Sequence, residues 1–316
     1  MQFHYLDGLK ELVKELKGDE NIYLGIRPSG FHSGNALTLV VYPILMCQLL
    51  SKKRKIKPEF TFYLFLNDWE QDDLEGKDTK AFPFNVYPKN TTLQHIDKIN
   101  SRNPSIYFWL SFIKSQVRLI SKYFPSVKIV PIKNSEMKNS DIMKKHLLKT
   151  LSSDKEIGDI FDQHSGFSVK KGNRQYALAV CPECCLSKGK TLVSKKKDLV
   201  THKCKHCKTK TTKHYEDFDY WFYHKPLAIP RLEAFNIDLC ITGSDHKKEN
   251  DYKIRQELIS FFGAKVRPFK TLYTPVVMAA DKKKMGKSKN NTGSIMIKRL
   301  LKKARNSREA TLSLED

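Results

Sequence analysis

The sequence predicts an α/β protein whose core is a doubly wound parallel sheet, interrupted by a cysteine-bearing insertion. Three observations predict it. Short apolar runs, Ile22–Ile26, Phe60–Leu66 and Val127–Val130, alternate with segments of helical spacing, as strands covered by helices on both faces do. Polar clusters follow these runs at the strand ends, the positions from which open α/β sheets bind ligands. Two Cys-x2-Cys pairs then break the alternation in the second half of the chain.

Tyr5, Leu9, Leu12, Val13 and Leu16 keep helical spacing and predict a lead-in helix over residues 5–17. The run Ile22–Ile26 follows as a strand. It breaks at Arg27-Pro28-Ser29-Gly30, presents His32-Ser33-Gly34-Asn35, and continues as an apolar-rich helix from Ala36 to Leu50. Such a turn gathers backbone N–H groups, the positive end of a helix macrodipole and the His32 side chain at one point, which suits a polyphosphate. Gly30 and Gly34 let the backbone come close to it. The spacing is neither that of a P-loop nor that of Gly-x-Gly-x-x-Gly. Pro43 removes a backbone donor and predicts a kink in the helix.

A basic loop, Lys52–Lys55, leads to the strand Phe60–Leu66, apolar enough to be covered on both faces. The strand ends in Asn67-Asp68-Trp69-Glu70-Gln71-Asp72-Asp73, acidic groups at the edge that faces a ligand crevice. Residues 76–103, with Pro83 and Pro88, are expected to be irregular. An amphipathic helix over Ile106–Tyr123, the strand Val127–Val130 and a helical stretch from Asn139 to Phe161 follow.

Tyr176–Val180 then leads into Cys181-Pro-Glu-Cys184, and Cys204-Lys-His-Cys207 follows after 19 intervening residues. Four cysteines in two such knuckles fit a tetrahedral four-thiolate zinc site. With no open coordination position the metal is structural, and its binding, worth on the order of 10 kcal/mol, would hold the insertion folded. Cys185 could substitute for Cys184, while Cys47 and Cys240 are expected to be small buried core residues. Seven cysteines, an odd number with four in metal-type pairs, fit a reducing compartment and no disulfide framework. The flanking lysines, Lys195–Lys197 and Lys208–Lys213, either touch RNA or form a solvated face.

The strand-like run Phe235–Thr242 ends in Gly243-Ser244-Asp245-His246, again a polar cluster between strand and helix. Ile254, Leu258, Ile259 and Phe262 restore helical spacing, and Thr271–Met278 is the last apolar run. The segment Asp281–Asn290 holds five lysines around Gly286 and Ser288, a cationic arm suited to a triphosphate. The expected organisation is a catalytic domain in two parts, 1–170 and 216–292, an insertion at 171–215, and a basic helical tail at 293–316.

Lys+Arg number 57 against 34 Asp+Glu, a net charge of +23. A surplus of that size attracts polyanions; lysines scattered over a solvated surface are the plainer alternative. The N-terminus lacks the basic-then-apolar pattern of a leader and no window of about 18 uncharged apolar residues is present. The expectation is a cytoplasmic protein with no membrane partner.

His32-Ser-Gly-Asn35 after Pro28-Ser-Gly30, paired with Lys284-Met-Gly-Lys-Ser288, resembles the HIGH and KMSKS signatures of class I aminoacyl-tRNA synthetases. The cysteine insertion between them, the segment Tyr176–Pro182, Phe235-x-Ile-Asp-Leu239 and Gly243–His246 are similar to the catalytic half of class I lysyl-tRNA synthetases, over residues 5–292. The resemblance implies a Rossmann-like (HUP) catalytic domain with an inserted zinc ribbon, acting on ATP with Mg²⁺ and on an amino acid, with the acceptor end of tRNA as partner, as a monomer. It implies that His32 and Asn35 contact ATP phosphates, beside Pro28, Ser29, Gly30 and Gly34. Lys284 and Lys287, with Met285 and Ser288, would close over the triphosphate, and Gly25, Arg27, Asp68, Asp245 and His246 would line the amino-acid pocket. Cys181, Cys184, Cys204 and Cys207 would hold structural Zn²⁺. The short tail at 293–316 leaves no room for the family's anticodon-binding helical domain. A relative that passes its adenylate to a non-tRNA acceptor, or a non-catalytic RNA-binding one, are the alternatives.

Overall fold

A computed structural model describes residues 1–26, 37–70, 91–95, 127–164, 175–194, 198–248 and 250–275, together with 118, 121 and 125. The chain opens with β1 (Gln2–His4) and α1 (Tyr5–Glu15), whose Leu9, Leu12 and Val13 are buried. Strand β2 (Asn21–Ile26) follows. After the opening turn comes a π-helical turn, Leu37–Val41, and then α2 (Tyr42–Arg54). The predicted kink thus takes the form of a π-to-α junction. Pro43 sits in the first turn of α2, where its missing N–H costs least.

Lys52, Lys53 and Arg54, expected in a loop, instead form the last turn of α2. Arg54 accounts for the extension: its guanidinium donates to the carbonyls of Val13, at 3.0 Å, and Leu16, closing the C-terminus of α1. β3 (Thr61–Leu66) and β4 (Lys128–Lys133) come next. A short α3 (Asn134–Met137) follows, and the helical stretch expected from Asn139 to Phe161 is two helices, α4 (Asp141–Leu151) and α5 (Asp154–His164). Ser140 caps α4, accepting from the Met143 N–H at 3.2 Å. The N–H groups of Ser152 and Ser153 turn back to Lys149 and Thr150 at 3.3 Å, ending that helix before α5.

Next come β5 (Ala177–Ala179), the hairpin strands β6 (Gly189–Ser194), β7 (Leu199–Cys204) and β8 (Lys210–His214), and, beyond the expected insertion at 171–215, β9 (Tyr220–Phe222). β5 pairs antiparallel with β9, and β6, β7 and β8 form a separate antiparallel sheet. Trp69, fully buried past the end of β3, lies 6.0 Å from Tyr220 and 6.4 Å from Phe222, ring centre to ring centre. It packs the β5–β9 pair against the end of the main sheet.

The chain then returns through α6 (His224–Ala234), β10 (Leu239–Gly243), α7 (Asp245–Lys248), α8 (Asp251–Phe262) and β11 (Lys270–Thr274). The strand expected from Phe235 begins only at Leu239. Asn236 adopts φ +47°, and the Ile237 N–H bonds to the Leu232 carbonyl at 3.3 Å, the closure typical of a helix C-terminus with a left-handed residue after its cap. Phe235 and Ile237 are apolar because they seal that helix end.

Six strands form one parallel sheet in the order β1–β11–β10–β2–β3–β4. Ile22, Leu24 and Ile26 point to the side covered by α1 and α2, while Tyr23 and Phe65 point to the side covered by α4, α5, α6 and α8. Both faces are buried, so the sheet is doubly wound as the apolar strands predict. Cys47 and Cys240 are buried in these two cores. Among the described residues no helix is long and apolar enough to cross a membrane.

Candidate active site

The sheet reverses its direction of growth between β2 and β10. From β2 the chain proceeds to β3 and β4 on one side; from β10 it proceeds to β11 on the other. Connections that leave in opposite directions open a crevice at the carboxyl ends of the two strands. Three of the sequence-predicted polar clusters begin there: Arg27–Asn35 after β2, Asp68 after β3, and Gly243–His246 at the end of β10.

Gly25 is exposed although it lies in a central strand. A Cβ at this position would stand 2.9 Å from the Tyr23 hydroxyl, so the glycine keeps the crevice floor open above Tyr23. Strand ends around it are tied by backbone bonds, from Asn67 N–H to the Ile26 carbonyl at 2.8 Å and from Ser244 N–H to the Thr274 carbonyl at 2.9 Å. The hydroxyls of Thr38 and Thr274 are 2.8 Å apart, and Thr274 also donates to the Thr242 carbonyl at 3.4 Å. The end of β11 is thereby held against the first helical turn after the Arg27–Asn35 segment.

Asp68 is buried and turned to the next helix. Its carboxylate accepts from the backbone N–H groups of Asn134 and Ser135, at 2.9 and 3.3 Å, and from the Ser135 hydroxyl at 2.5 Å. Burial pushes its carboxyl above the usual range, against these bonds. Its acceptor capacity is engaged in capping α3. Asp245 opens α7, with an oxygen 2.5 Å from where a Cβ on Gly243 would lie; Gly243 is the residue that leaves it room. The His246 and His224 rings are 6.1 Å apart, and His224 Nδ1 lies 3.7 Å from Glu70 Oε1.

Beneath these groups runs a buried charged network that sequence reasoning missed. Asp251 and Arg255 are paired at 2.7 Å, and the Lys225 ammonium is 3.9 Å from the same carboxyl group. Burial pushes the Asp251 carboxyl upward, but Arg255, His246, Lys225 and His224 together hold it below the usual range. Arg255 lies over the Tyr23 ring at 5.7 Å. Arg231, fully buried, donates to the Tyr23 hydroxyl at 2.7 Å and to the side-chain carbonyls of Asn67 and Asn134. The four-residue spacing of Asp251 and Arg255 on a helix was the one signal the sequence offered.

Arg27, Pro28, Ser29, Gly30, His32, Gly34 and Asn35 lie outside the described residues, as do Lys284, Met285, Lys287 and Ser288. Of the remaining predicted site residues, Gly25, Asp68, Asp245 and His246 stand at the carboxyl edge of the sheet.

The cysteine cluster is a second centre. The Sγ atoms of Cys181, Cys184, Cys204 and Cys207 all lie within 4.8 Å of one another. Cys181 is 3.5 Å from Cys207 and Cys184 is 3.6 Å from Cys204. Four thiolates about 2.3 Å from one zinc ion at tetrahedral angles stand about 3.8 Å apart, so the donor set fits Zn²⁺. Cys185 lies outside this group of four.

Over residues 9–306 the chain matches the family model described as "tRNA synthetases class I (K)". No curated protein matches. Among solved structures, tyrosyl-tRNA synthetase from Archaeoglobus fulgidus, complexed with L-tyrosine, is similar at 14% identity, covering 92% of this chain and 65% of its own, with a TM-score of 0.44. Tyrosyl-tRNA synthetase from Leishmania major, in complex with tyrosinol, is similar at 15% identity, covering 90% and 31%, with a TM-score of 0.44. Tryptophanyl-tRNA synthetase from Campylobacter jejuni, complexed with ADP and tryptophan, is similar at 13%, covering 90% and 65%, with a TM-score of 0.40. The chain spans less than two thirds of the length of these relatives.

Proposed function

Because the chain belongs to the class I tRNA synthetase family, whose model spans residues 9–306, we propose that it activates an amino acid with ATP and transfers it to tRNA, with lysine as the amino acid. One structural relation carries the reading. Thr38 comes three residues after Asn35 and Thr274 ten residues before Lys284; their hydroxyls are 2.8 Å apart. The described residues that flank the two signature segments thus meet at the carboxyl edge of the sheet, the edge at which an α/β crevice takes its ligand, which supports the reading. The letter K in the family description and the cysteine module between the signatures support lysine.

In this reading a carboxylate oxygen of the amino acid attacks the α-phosphorus of ATP, the bond to the bridging oxygen breaks, and pyrophosphate leaves. A terminal ribose hydroxyl of tRNA then attacks the adenylate carbonyl carbon, and AMP leaves. Little covalent chemistry falls to the protein, so positioning and cations aimed at the phosphates supply the rate. His32 and Asn35 would meet the phosphates from the helix start, and Lys284 and Lys287 would close over the β- and γ-phosphates. Mg²⁺ would travel with the triphosphate. Gly25, Arg27, Asp245 and His246 would border the amino acid, with Asp68 bracing the wall through α3. Zn²⁺ on the four cysteines would be structural, with no position open to substrate.

ATP–pyrophosphate exchange across all twenty amino acids tests the proposal. Lysine-dependent exchange, with charging of tRNA, is the expected result. Exchange with a different amino acid alone would move the specificity, and no exchange with any of them would end the synthetase reading.

A further inference from the structure

The sheet β6–β7–β8 turns one face to the domain core and the other to solvent. Val200, Thr191 and His202 are buried on the inner face. On the outer face the register brings Lys190 opposite Lys203, and Lys203 opposite Lys210. Three lysines thus stand side by side across all three strands, and all three are exposed. Neighbouring strands are about 4.8 Å apart, so the row spans about 10 Å. The next row is uncharged, Leu192 opposite Thr201 opposite Thr212, with Leu192 45% exposed. Lys205 lies beyond the other end of the row, its N–H bonded to the Lys188 carbonyl at 2.9 Å, and both side chains are exposed.

Like charges placed directly opposite one another destabilise a sheet. Single solvated lysines need no explanation, but a row of three held in register does. The register is fixed locally: a Cβ on Gly189 would stand 2.2 Å from the Lys203 carbonyl oxygen, so only glycine lets β6 approach β7 at that step. Among the described residues Lys190, Lys203 and Lys210 have no ion pair; Glu216 stands 3.7 Å from His214, two rows away on the same face. An external polyanion with evenly spaced charges would relieve the unfavourable arrangement. A nucleic-acid backbone is such a polyanion, and neutralising it releases counterions.

We propose that the outer face of β6–β7–β8 is a docking surface for the phosphate backbone of structured RNA, centred on Lys190, Lys203 and Lys210. It lies on the insertion, apart from the crevice, and rests on the synthetase reading only in making tRNA the natural probe.

The test uses the full, zinc-loaded chain and total tRNA, with binding followed by fluorescence anisotropy over a salt series. The triple variant Lys190→Gln, Lys203→Gln, Lys210→Gln should lose at least about tenfold in affinity, and its slope of log K against log salt should flatten by about 2 to 3. Its ATP–pyrophosphate exchange should equal that of the parent. The triple lysine-to-arginine variant keeps the charge and should bind as the parent does. Unchanged affinity and slope in the glutamine variant would overturn the proposal. So would a loss shared by the arginine variant, or binding to anionic vesicles in preference to RNA. If the parent shows no exchange yet the RNA effect appears, the surface stands and the synthetase reading falls.

Discussion

Thr38 and Thr274 meet hydroxyl to hydroxyl at 2.8 Å across 236 residues of sequence. One is the second residue of the π-helical turn Leu37–Val41; the other ends β11. The contact ties the helical turn that follows the opening segment to the end of the strand that precedes the lysine segment, so removing it should disturb the proposed catalysis more than stability. Thr38→Val keeps the shape and deletes the hydroxyl. We expect a cost of about 1 kcal/mol in stability and a fall of about 10- to 100-fold in pyrophosphate exchange, the size associated with a misplaced reacting group. Urea denaturation alongside exchange kinetics checks both; equal exchange rates would show that the contact does not position the site.

Legibility in the sequence follows how local each constraint is. Ile22–Ile26 and Phe60–Leu66 announce their strands because a parallel strand buried on both faces is apolar at every position. The four cysteines announce a metal centre because a tetrahedral site demands close local pairs. Phe235–Thr242 misleads because burial at a helix end and burial in a strand look alike in an apolar run. Arg231 is silent altogether: its partners Tyr23, Asn67 and Asn134 lie 208, 164 and 97 residues away, and nothing in the surrounding run Pro226–Leu232 points to them. Asp68 was legible as a carboxylate at a strand end, but its engagement with α3 depends on a strand and helix more than 60 residues downstream.

Removing the zinc proposed for the four cysteines should unfold the segment that carries them. The four Sγ atoms come from two knuckles joined by β6 and β7, and the inner face buries Val200 completely. Binding on the order of 10 kcal/mol is coupled to folding in such sites, so chelation or Cys204→Ser should release about one zinc per chain. Protease cleavage should then fall between Cys181 and Cys207 while the parallel sheet resists. Metal analysis and limited proteolysis check this; an intact insertion after complete zinc loss would contradict it.

Arg231 should be among the most costly single replacements in the chain. It is fully buried, and its guanidinium satisfies the Tyr23 hydroxyl and the side-chain carbonyls of Asn67 and Asn134. Arg231→Leu would leave three buried polar groups without their donor, at about 1 to 3 kcal/mol each. A total loss of about 3 kcal/mol or more is expected by urea denaturation. Adding Tyr23→Phe should cost less in this background than in the parent, since the two groups share one bond. Additive losses would show that the bond carries no stability.

Stability should decline in mild acid through His146. Its Nε2 lies 2.6 Å from Glu233 on α6, and its ring packs edge-on against Phe262 of α8 at 4.9 Å. Burial lowers its pKa from the ordinary 6.5; Glu233 opposes this, while Lys145 and Lys149 on its own helix reinforce it. A histidine whose folded value is depressed binds fewer protons folded than unfolded, so its contribution is fully present above 6.5 and is lost as pH falls through the folded value. Glu233 acts in the same direction at lower pH: burial raises its pKa, but the His146 bond and the Lys265 N–H outweigh that and leave it below its ordinary 4.5. Asp154, raised by burial to about 6, works in the opposite sense over part of this range, so the mark of His146 is the difference from a variant without it: below pH 6.5 the parent should lose melting temperature relative to that variant. His146→Gln has no proton to take up, and its curve should fall less than the parent's over that range; an unchanged slope would exclude His146 as the source of the acid sensitivity.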